Sequence, residues 1–171
     1  MMIRKQKKTR TVYVDMDGVI ADFFTALADR HGVSHWKDLP DKEKSIRELA
    51  GTDFFNRLPK FSTSDRLIEF VHKITNGKWN ILSSPLRNDH ENSAKWKRVW
   101  LDRQGYTPNE AIFTGNKEKY ATTNGVPNIL VDDKPENIER WKAKGGIGIR
   151  YQANENSLQE LLYTLILYYR K

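Results

Sequence analysis

The chain predicts an α/β fold: a Rossmann-like open parallel sheet of about five strands, with helices on both faces and a small helical cap inserted after the first strand. Three features carry that prediction. Short apolar runs alternate with helical stretches, and glycines stand where helices should stop, at Gly77, Gly105, Gly125 and the Gly145–Gly146 pair. The first crossover, moreover, is too long for a single helix.

Taken in order, the first strand is Thr11–Asp15. Its Thr-Val-Tyr-Val run suits a strand, and the aspartates and Gly18 that follow end it. The crossover holds two helical stretches, Phe23–Arg30 and Lys42–Ala50, around the polar segment His31–Asp41. An insertion at that point covers the carboxyl edge of the sheet, where ligands bind in open α/β folds. The remaining strands are Trp79–Ser83, Ala111–Thr114, Asn128–Asp132 and Ile147–Tyr151, with helices near 64–75, 90–104, 117–123 and 135–144. Residues 158–168 are apolar but too few to span a membrane, and read as a terminal helix on the core or at a dimer contact. The expected organisation is a basic tail over 1–10, a core formed by 11–22 and 62–171, and a cap over 23–61.

Composition bounds the partners. The 171 residues carry 29 Lys and Arg against 22 Asp and Glu, for a net charge of +7. Such a surplus favours phosphorylated ligands and nucleic acid alike, although Arg4, Lys5, Lys7, Lys8 and Arg10 equally suit a solvated tail. Cysteine is absent, which excludes disulfides, thiol chemistry and Cys-based zinc sites. With no membrane-length apolar run and no secretory leader legible at the start, the expected location is the cytoplasm of a cell or of an infected host.

Residues able to do chemistry gather at the strand ends. Asp15 and Asp17 can hold a divalent cation and offer one carboxylate as a nucleophile, or can form an ordinary Asx-type turn. Ser83 and Ser84 close the second strand, where a hydroxyl and exposed amides bind phosphate oxygens. Lys117 follows the third strand and can neutralise phosphate and nucleophile together; Lys119 and Lys97 are its rivals. Asp132 and Asp133 end the fourth strand, and adjacent carboxylates repel unless solvent or a cation relieves them. The helix start marked by Pro135 and Glu136 explains Asp133 more readily than Asp132.

The order of these elements resembles the haloacid dehalogenase-like phosphatase superfamily over roughly residues 11–150. Within it, the chain is similar to the 5′(3′)-deoxyribonucleotidases and their phage relatives. The matching stretches are Asp-Met-Asp-Gly-Val-Ile-Ala-Asp-Phe (15–23), Asp-Phe-Phe-Asn-Arg-Leu-Pro (53–59), Leu-Ser-Ser-Pro (82–85), Leu-Val-Asp-Asp-Lys-Pro-Glu-Asn-Ile (130–138) and Trp-Lys-Ala-Lys-Gly-Gly-Ile-Gly-Ile (141–149). The resemblance implies a Mg²⁺-dependent phosphomonoester hydrolase that forms an aspartyl-phosphate and acts on (deoxy)nucleoside monophosphates. Asp15 is then the nucleophile and Asp17 the acid and base. Mg²⁺ is held by Asp15, the backbone carbonyl of Asp17 and Asp133, with Asp132 close by, while Ser83, Ser84 and Lys117 bind the phosphoryl group. Phe23, Phe54 and Phe55 match cap aromatics that stack on the nucleobase, although plain cap core accounts for them equally well. The region His31–Ala50 is shorter and more charged than the family pattern, and His35, Trp36, Lys37 and Lys44 have no counterpart role.

Two other readings compete. A 3′-phosphatase on nucleic-acid ends would use Trp96, Lys97, Arg98, Trp100 and Arg103 to bind a strand, although Trp96 and Trp100, four apart on a helix, also suit core packing. A non-catalytic binding module on the same scaffold is opposed by the four intact acids. The expected partner is a small phosphorylated molecule.

Overall fold

In the computed structural model, which describes residues 9–171, the run Val12–Val14 forms strand β1 at the centre of a five-stranded parallel sheet. Side chains alternate across it. Val12 and Val14 enter the larger apolar core, whereas Tyr13 joins a smaller one with Leu82, Leu130 and Trp141 on the opposite face. After β1 come α1 (Phe23–Arg30), α2 (Lys42–Arg47) and α3 (Ser64–Ile74), then β2 (Trp79–Ser83), α4 (His90–Gln104) and β3 (Glu110–Phe113). A short hairpin follows, β4 (Thr122–Thr123) and β5 (Val126–Pro127), then β6 (Ile129–Asp132), α5 (Pro135–Ala143), β7 (Ile147–Arg150) and α6 (Leu158–Tyr169). Strand order is β3-β2-β1-β6-β7, so the sheet builds outward from β1 first to one side and then to the other. The α/β class and the doubly covered sheet expected from the sequence are therefore present.

Three details differ from expectation. The helix expected over 117–123 is a single 3₁₀ turn, Lys117–Tyr120, followed by the β4–β5 hairpin. Asn124 and Gly125 take φ values of 50° and 76°, the left-handed pair of a tight hairpin turn that no α-helix tolerates. Helix α2 stops at Arg47, short of the expected Ala50, and the chain then turns through Gly51. Arg10, counted with the basic tail, is tied down: its guanidinium donates to the carbonyls of Pro127 (2.9 Å) and Tyr168 (3.1 Å). The other basic residues of that tail lie outside the described residues.

The long first crossover leaves and rejoins the core at one place. Asp22 N–H donates to Pro59 O (2.8 Å), and the Ser64 hydroxyl donates to Ile20 O (2.8 Å), which clasps the two ends of the 23–61 segment. Along one flank the segment is fastened to α4 and the loop before it. Trp100 Nε1–H donates to Leu58 O at 2.7 Å from a fully buried position, Asn92 donates to Thr52 O (3.0 Å), and Gly51 N–H donates to Asp89 (2.7 Å). Arg103 also donates to Asn56 O. Arg98 lies over Phe113 and donates to Ala111 O, and Trp96 packs against the core. The Trp and Arg residues named for strand binding thus serve α4 packing. On α6, Leu161, Leu162 and Leu165 are buried as expected, and Tyr163 and Leu167 face outward.

A buried carbonyl that loses its donor pays the desolvation of an unpaired polar group, about 1–3 kcal/mol. Trp100→Phe, which deletes the Nε1–H facing Leu58 O, is expected to lower the unfolding free energy by about 2 kcal/mol in urea titrations. An unchanged midpoint would show that this clasp carries no stability.

Candidate active site

The strand order decides which side chains meet. Asp15 follows β1, Ser83 ends β2 and Asp132 ends β6, and β2 and β6 are the two direct neighbours of β1. All three ends point the same way because the pairings are parallel. They converge at the point where the sheet changes its direction of growth, the usual ligand position in such sheets.

Lys117 sits at the centre of the acids. Its buried ammonium donates to Asp15 Oδ1 (2.9 Å) and Asp132 Oδ2 (2.7 Å). Burial pulls its pKa down, but the charges of Asp15 and Asp132 outweigh that and hold it above the ordinary lysine range. A second lysine does the same for Asp17. Lys97, only 1% exposed, donates to Asp17 Oδ2, Ser83 Oγ and Ser84 O, each at 2.9 Å, and lies 4.8 Å from the ring centre of Phe55. Lys117 and Lys97 were rivals in the sequence; the structure brings both to the site and leaves Lys119 outside, over the Tyr120 ring. The signal for Lys97 was its place among Ser93, Ala94, Trp100 and Leu101 on the buried stripe of α4, where a lysine needs a partner. That burial also removes it from any surface that a nucleic-acid strand could touch.

The two adjacent acids after β6 separate sharply. Asp132 is saturated: Oδ1 accepts from Lys134 N–H (2.9 Å), and Oδ2 accepts from Lys117 and from Asn137 Nδ2 (3.1 Å). It therefore starts the turn into α5, the task the sequence suggested for Asp133. Asp133 instead lies against Gly18, where any Cβ would run into its carboxylate; the φ of +83° at Gly18 independently calls for glycine. Burial, then the charges of Asp15, Asp132 and Asp17, push the Asp133 carboxyl up to about 9. Burial and Asp15 likewise raise Asp132, with Lys117 opposing.

Asp15, Asp132 and Asp133 each offer an oxygen within 4.8 Å of the others. The Asp17 carboxylate is not part of that cluster; its Oδ1 is buried and has no hydrogen-bond partner among the described residues. With all four carboxylates ionised, the two buried ammonium groups leave an excess of two negative charges, which one alkaline-earth dication would balance. Oxygen donors at a buried strand end are also what such a hard cation prefers. The residues present thus fit a divalent metal held by Asp15 and Asp133.

These groups line a cavity of about 210 Å³. Ser84, unlike the fully buried Ser83, is exposed on its wall. Of the three cap aromatics, only Phe23 lines the cavity; Phe55 stacks parallel to it at 5.7 Å, and Phe54 meets it edge-on, so both of these are packing residues. Phe24, Lys42 and Ile46 line the cavity too, and the sequence reading did not name them. A wider groove of about 440 Å³ near His72 and Tyr106 holds a surface Lys60–Asp65 pair and no convergent acids, so the chemistry belongs to the smaller cavity.

Known proteins share the fold, and one family matches the sequence. The family described as 5′ nucleotidase, deoxy (pyrimidine), cytosolic type C matches residues 9–161. No curated protein sequence matches the chain. Among solved structures, a haloacid dehalogenase family enzyme from Bacteroides thetaiotaomicron, crystallised with magnesium, is 14% identical with a TM-score of 0.52, over 91% of this chain and 99% of that one. A hydrolase from Pseudomonas syringae is 11% identical with a TM-score of 0.53, over 89% and 88%. A phosphonoacetaldehyde hydrolase-like protein from Oleispira antarctica is 12% identical with a TM-score of 0.51, over 91% and 81%. No helix of the described residues is long and apolar enough to cross a membrane. Acids after β1 and β6, a serine at the end of β2 and two buried lysines between them, on a sheet shared with dehalogenase-like enzymes and in a chain matched almost throughout by one family, make this a phosphatase that belongs to the deoxy (pyrimidine) 5′-nucleotidases of cytosolic type C, within the haloacid dehalogenase-like superfamily.

Proposed function

We propose that the chain is a Mg²⁺-dependent nucleotidase that releases phosphate from (deoxy)nucleoside monophosphates through an aspartyl-phosphate on Asp15. The observation that carries this reading is the position of Asp15. Lys117 holds one of its oxygens, and its carboxylate opens on the cavity that Asp17 and Asp133 also line.

In the first step the free oxygen of Asp15 attacks phosphorus, the ester P–O bond breaks, and Asp17 gives a proton to the departing alkoxide. In the second, Asp17 takes a proton from water, the water oxygen bonds to phosphorus, and the bond to Asp15 breaks, which releases phosphate and restores the Asp15 carboxylate and the protonated Asp17. Lys97 supports Asp17 by holding Oδ2, which leaves the unpartnered Oδ1 to carry the proton. Lys117 and the wall at Ser84 neutralise and position the transferring group, and the buried Ser83 contributes by orienting Lys97. Asp15, Asp133 and the Asp17 backbone carbonyl are assigned to the metal, with Asp132 as the anchor of Lys117. Bound there, Mg²⁺ supplies charge neutralisation to the phosphoryl oxygens. Segment 23–61 acts as the cap, with Phe23 at the substrate. The magnesium in the B. thetaiotaomicron enzyme supports the choice of ion. The burial of Lys97 and Trp100 favours a small nucleotide over a nucleic-acid end.

Phosphate release from a panel of 5′- and 3′-(deoxy)nucleotides, sugar phosphates and 3′-phosphorylated oligonucleotides tests the reading. Asp15→Asn is expected to lose turnover by at least about 10³-fold while keeping its melting temperature within a few degrees, since the amide preserves shape. Activity that survives this change or survives EDTA refutes the mechanism. The raised Asp133 carboxyl adds a pH signature. Below about 9 it is protonated without metal, and the metal needs the carboxylate, so Mg²⁺ affinity should rise with pH by up to about tenfold per unit between pH 6 and 8. By the same sign, the metal-free protein loses stability as pH climbs from the ordinary carboxylate range towards 9, and Mg²⁺ should restore it. Thermal melts at pH 6 and 8, with and without Mg²⁺, check both directions.

A further inference from the structure

We infer that Lys42 and Lys134 form a second anion subsite at the mouth of the cavity, which makes the preferred substrate a nucleotide carrying a second phosphate. This rests on the nucleotidase reading above and goes beyond it.

Size comes first. A cavity of about 210 Å³ falls below the roughly 300–1,000 Å³ usual for drug-sized ligands, so it holds the phosphoryl end of a nucleotide and the remainder emerges. Where it emerges follows from exposure. The exposed residues of the cavity wall are Lys42, Lys134 and Ser84, which places the mouth between α2 and the turn from β6 into α5. The opposite flank is closed by the hydrogen bonds that fasten segment 51–58 to α4 and Asp89. The trailing part of the substrate therefore passes between two lysines.

Neither lysine is paired with an acid. Among the described residues, no carboxylate lies within ion-pair distance of Lys42 or Lys134, whereas Lys97 and Lys117 are both paired with the inner acids. Helix α2 gains nothing from Lys42. It is the first residue after the Asp41 cap, where the helix dipole favours an acid and opposes a cation. The side chain is nonetheless placed: its ammonium lies 4.3 Å from the ring centre of Trp36 and 5.7 Å from that of Phe24, and those rings pack together at 4.9 Å. Segment 31–50, which departs from the family pattern, thus presents a cation on an aromatic platform to the mouth. A compact, strongly hydrated ammonium is a phosphate binder.

Steady-state kinetics with Mg²⁺ compare a deoxynucleoside 5′-monophosphate, the 3′,5′-bisphosphate, a 5′-phosphorylated dinucleotide and p-nitrophenyl phosphate. The wild type should favour the bisphosphate over the monophosphate by about tenfold or more in kcat/KM, mainly through KM. Lys42→Glu and Lys134→Glu should each cut that preference by about tenfold, with the effect fading in high salt. Lys42→Glu suits the first turn of α2, and the Lys134 contact to Asp132 is made by its backbone, so neither change threatens folding. Equal kcat/KM for mono- and bisphosphate overturns the subsite. So does an equal loss on bisphosphate and p-nitrophenyl phosphate, which would put Lys42 on the transferring group. A dinucleotide preferred over the bisphosphate would show that the mouth reads a strand, and overturns the assignment to a small molecule. Calorimetric binding to the Asp15→Asn protein reads the subsite without turnover. Bisphosphate binding that depends on Lys42, alongside a wild type that releases no phosphate from any of these esters, overturns the nucleotidase reading alone, and bisphosphate binding indifferent to Lys42 overturns the subsite alone.

Discussion

Three carboxylates within 4.8 Å of one another cannot all stay ionised in a buried site without cations between them, and Lys117 is the cation the fold supplies. A buried charge left with no partner at all costs about 3–5 kcal/mol, because it is neither solvated nor paired. That penalty works in both directions here. Without Asp15 and Asp132 a lysine could not sit 2% exposed in the core, and without the lysine the acids would hold protons and lose both nucleophilicity and metal affinity. The active form of the site is thus a property of the charge cluster rather than of any single aspartate.

The sheet topology then fixes the division of labour. Because β1 lies between β2 and β6, one short motif on β1 can reach a serine pair on one side and an aspartate pair on the other. Adjacent residues at a strand end diverge, so Asp132 and Asp133 cannot do the same job. Asp132 turns back to accept from Lys134 N–H in the turn before α5 and to anchor Lys117; Asp133 turns out toward Gly18 and the cavity. Among the described residues, two buried carboxylate oxygens lack a hydrogen-bond partner: Asp17 Oδ1 beside the acid cluster, and Glu118 Oε2, which has Arg140 at 3.8 Å. An unpaired acid oxygen is costly in a core and useful in a proton shuttle.

Much of this was legible beforehand, and the limits have physical causes. Parallel strands buried on both faces leave dense apolar runs, so β1, β2 and β6 stood out, and the acids that end β1 and β6 followed. Lys117 was named on its position after the third strand. Lys97 was harder, since a lysine in a helix is normally solvated, and its value comes from contacts 13, 14 and 80 residues away along the chain. The aromatic trio was undecidable for the same reason: stacking on a ligand and stacking on one another use identical residues, and only packing shows Phe54 and Phe55 behind Phe23. The missed hairpin is different in kind. Asn124-Gly125 between β-branched residues is a strong local signal, and the helical spacing of the preceding turn masked it.

Helix α4 links the chemistry to the inserted segment. Lys97 and Trp100 are three residues apart and so share one face of the helix. Lys97 holds Asp17, Ser83 and Ser84, while Trp100 holds Leu58 at the far end of the segment. Any shift of the 51–58 stretch that moved Trp100 along the helix axis would carry Lys97 with it, because α4 is a rigid fifteen-residue element. Hydrogen bonds of 2.9 Å to three separate acceptors tolerate little displacement before one is lost. The insertion is therefore coupled to the orientation of the Asp17 carboxylate on the closed flank, while Lys42, at the start of α2, borders the mouth. One side of the segment sets the geometry of proton transfer, and the opposite side is left to meet what the substrate carries beyond its phosphate.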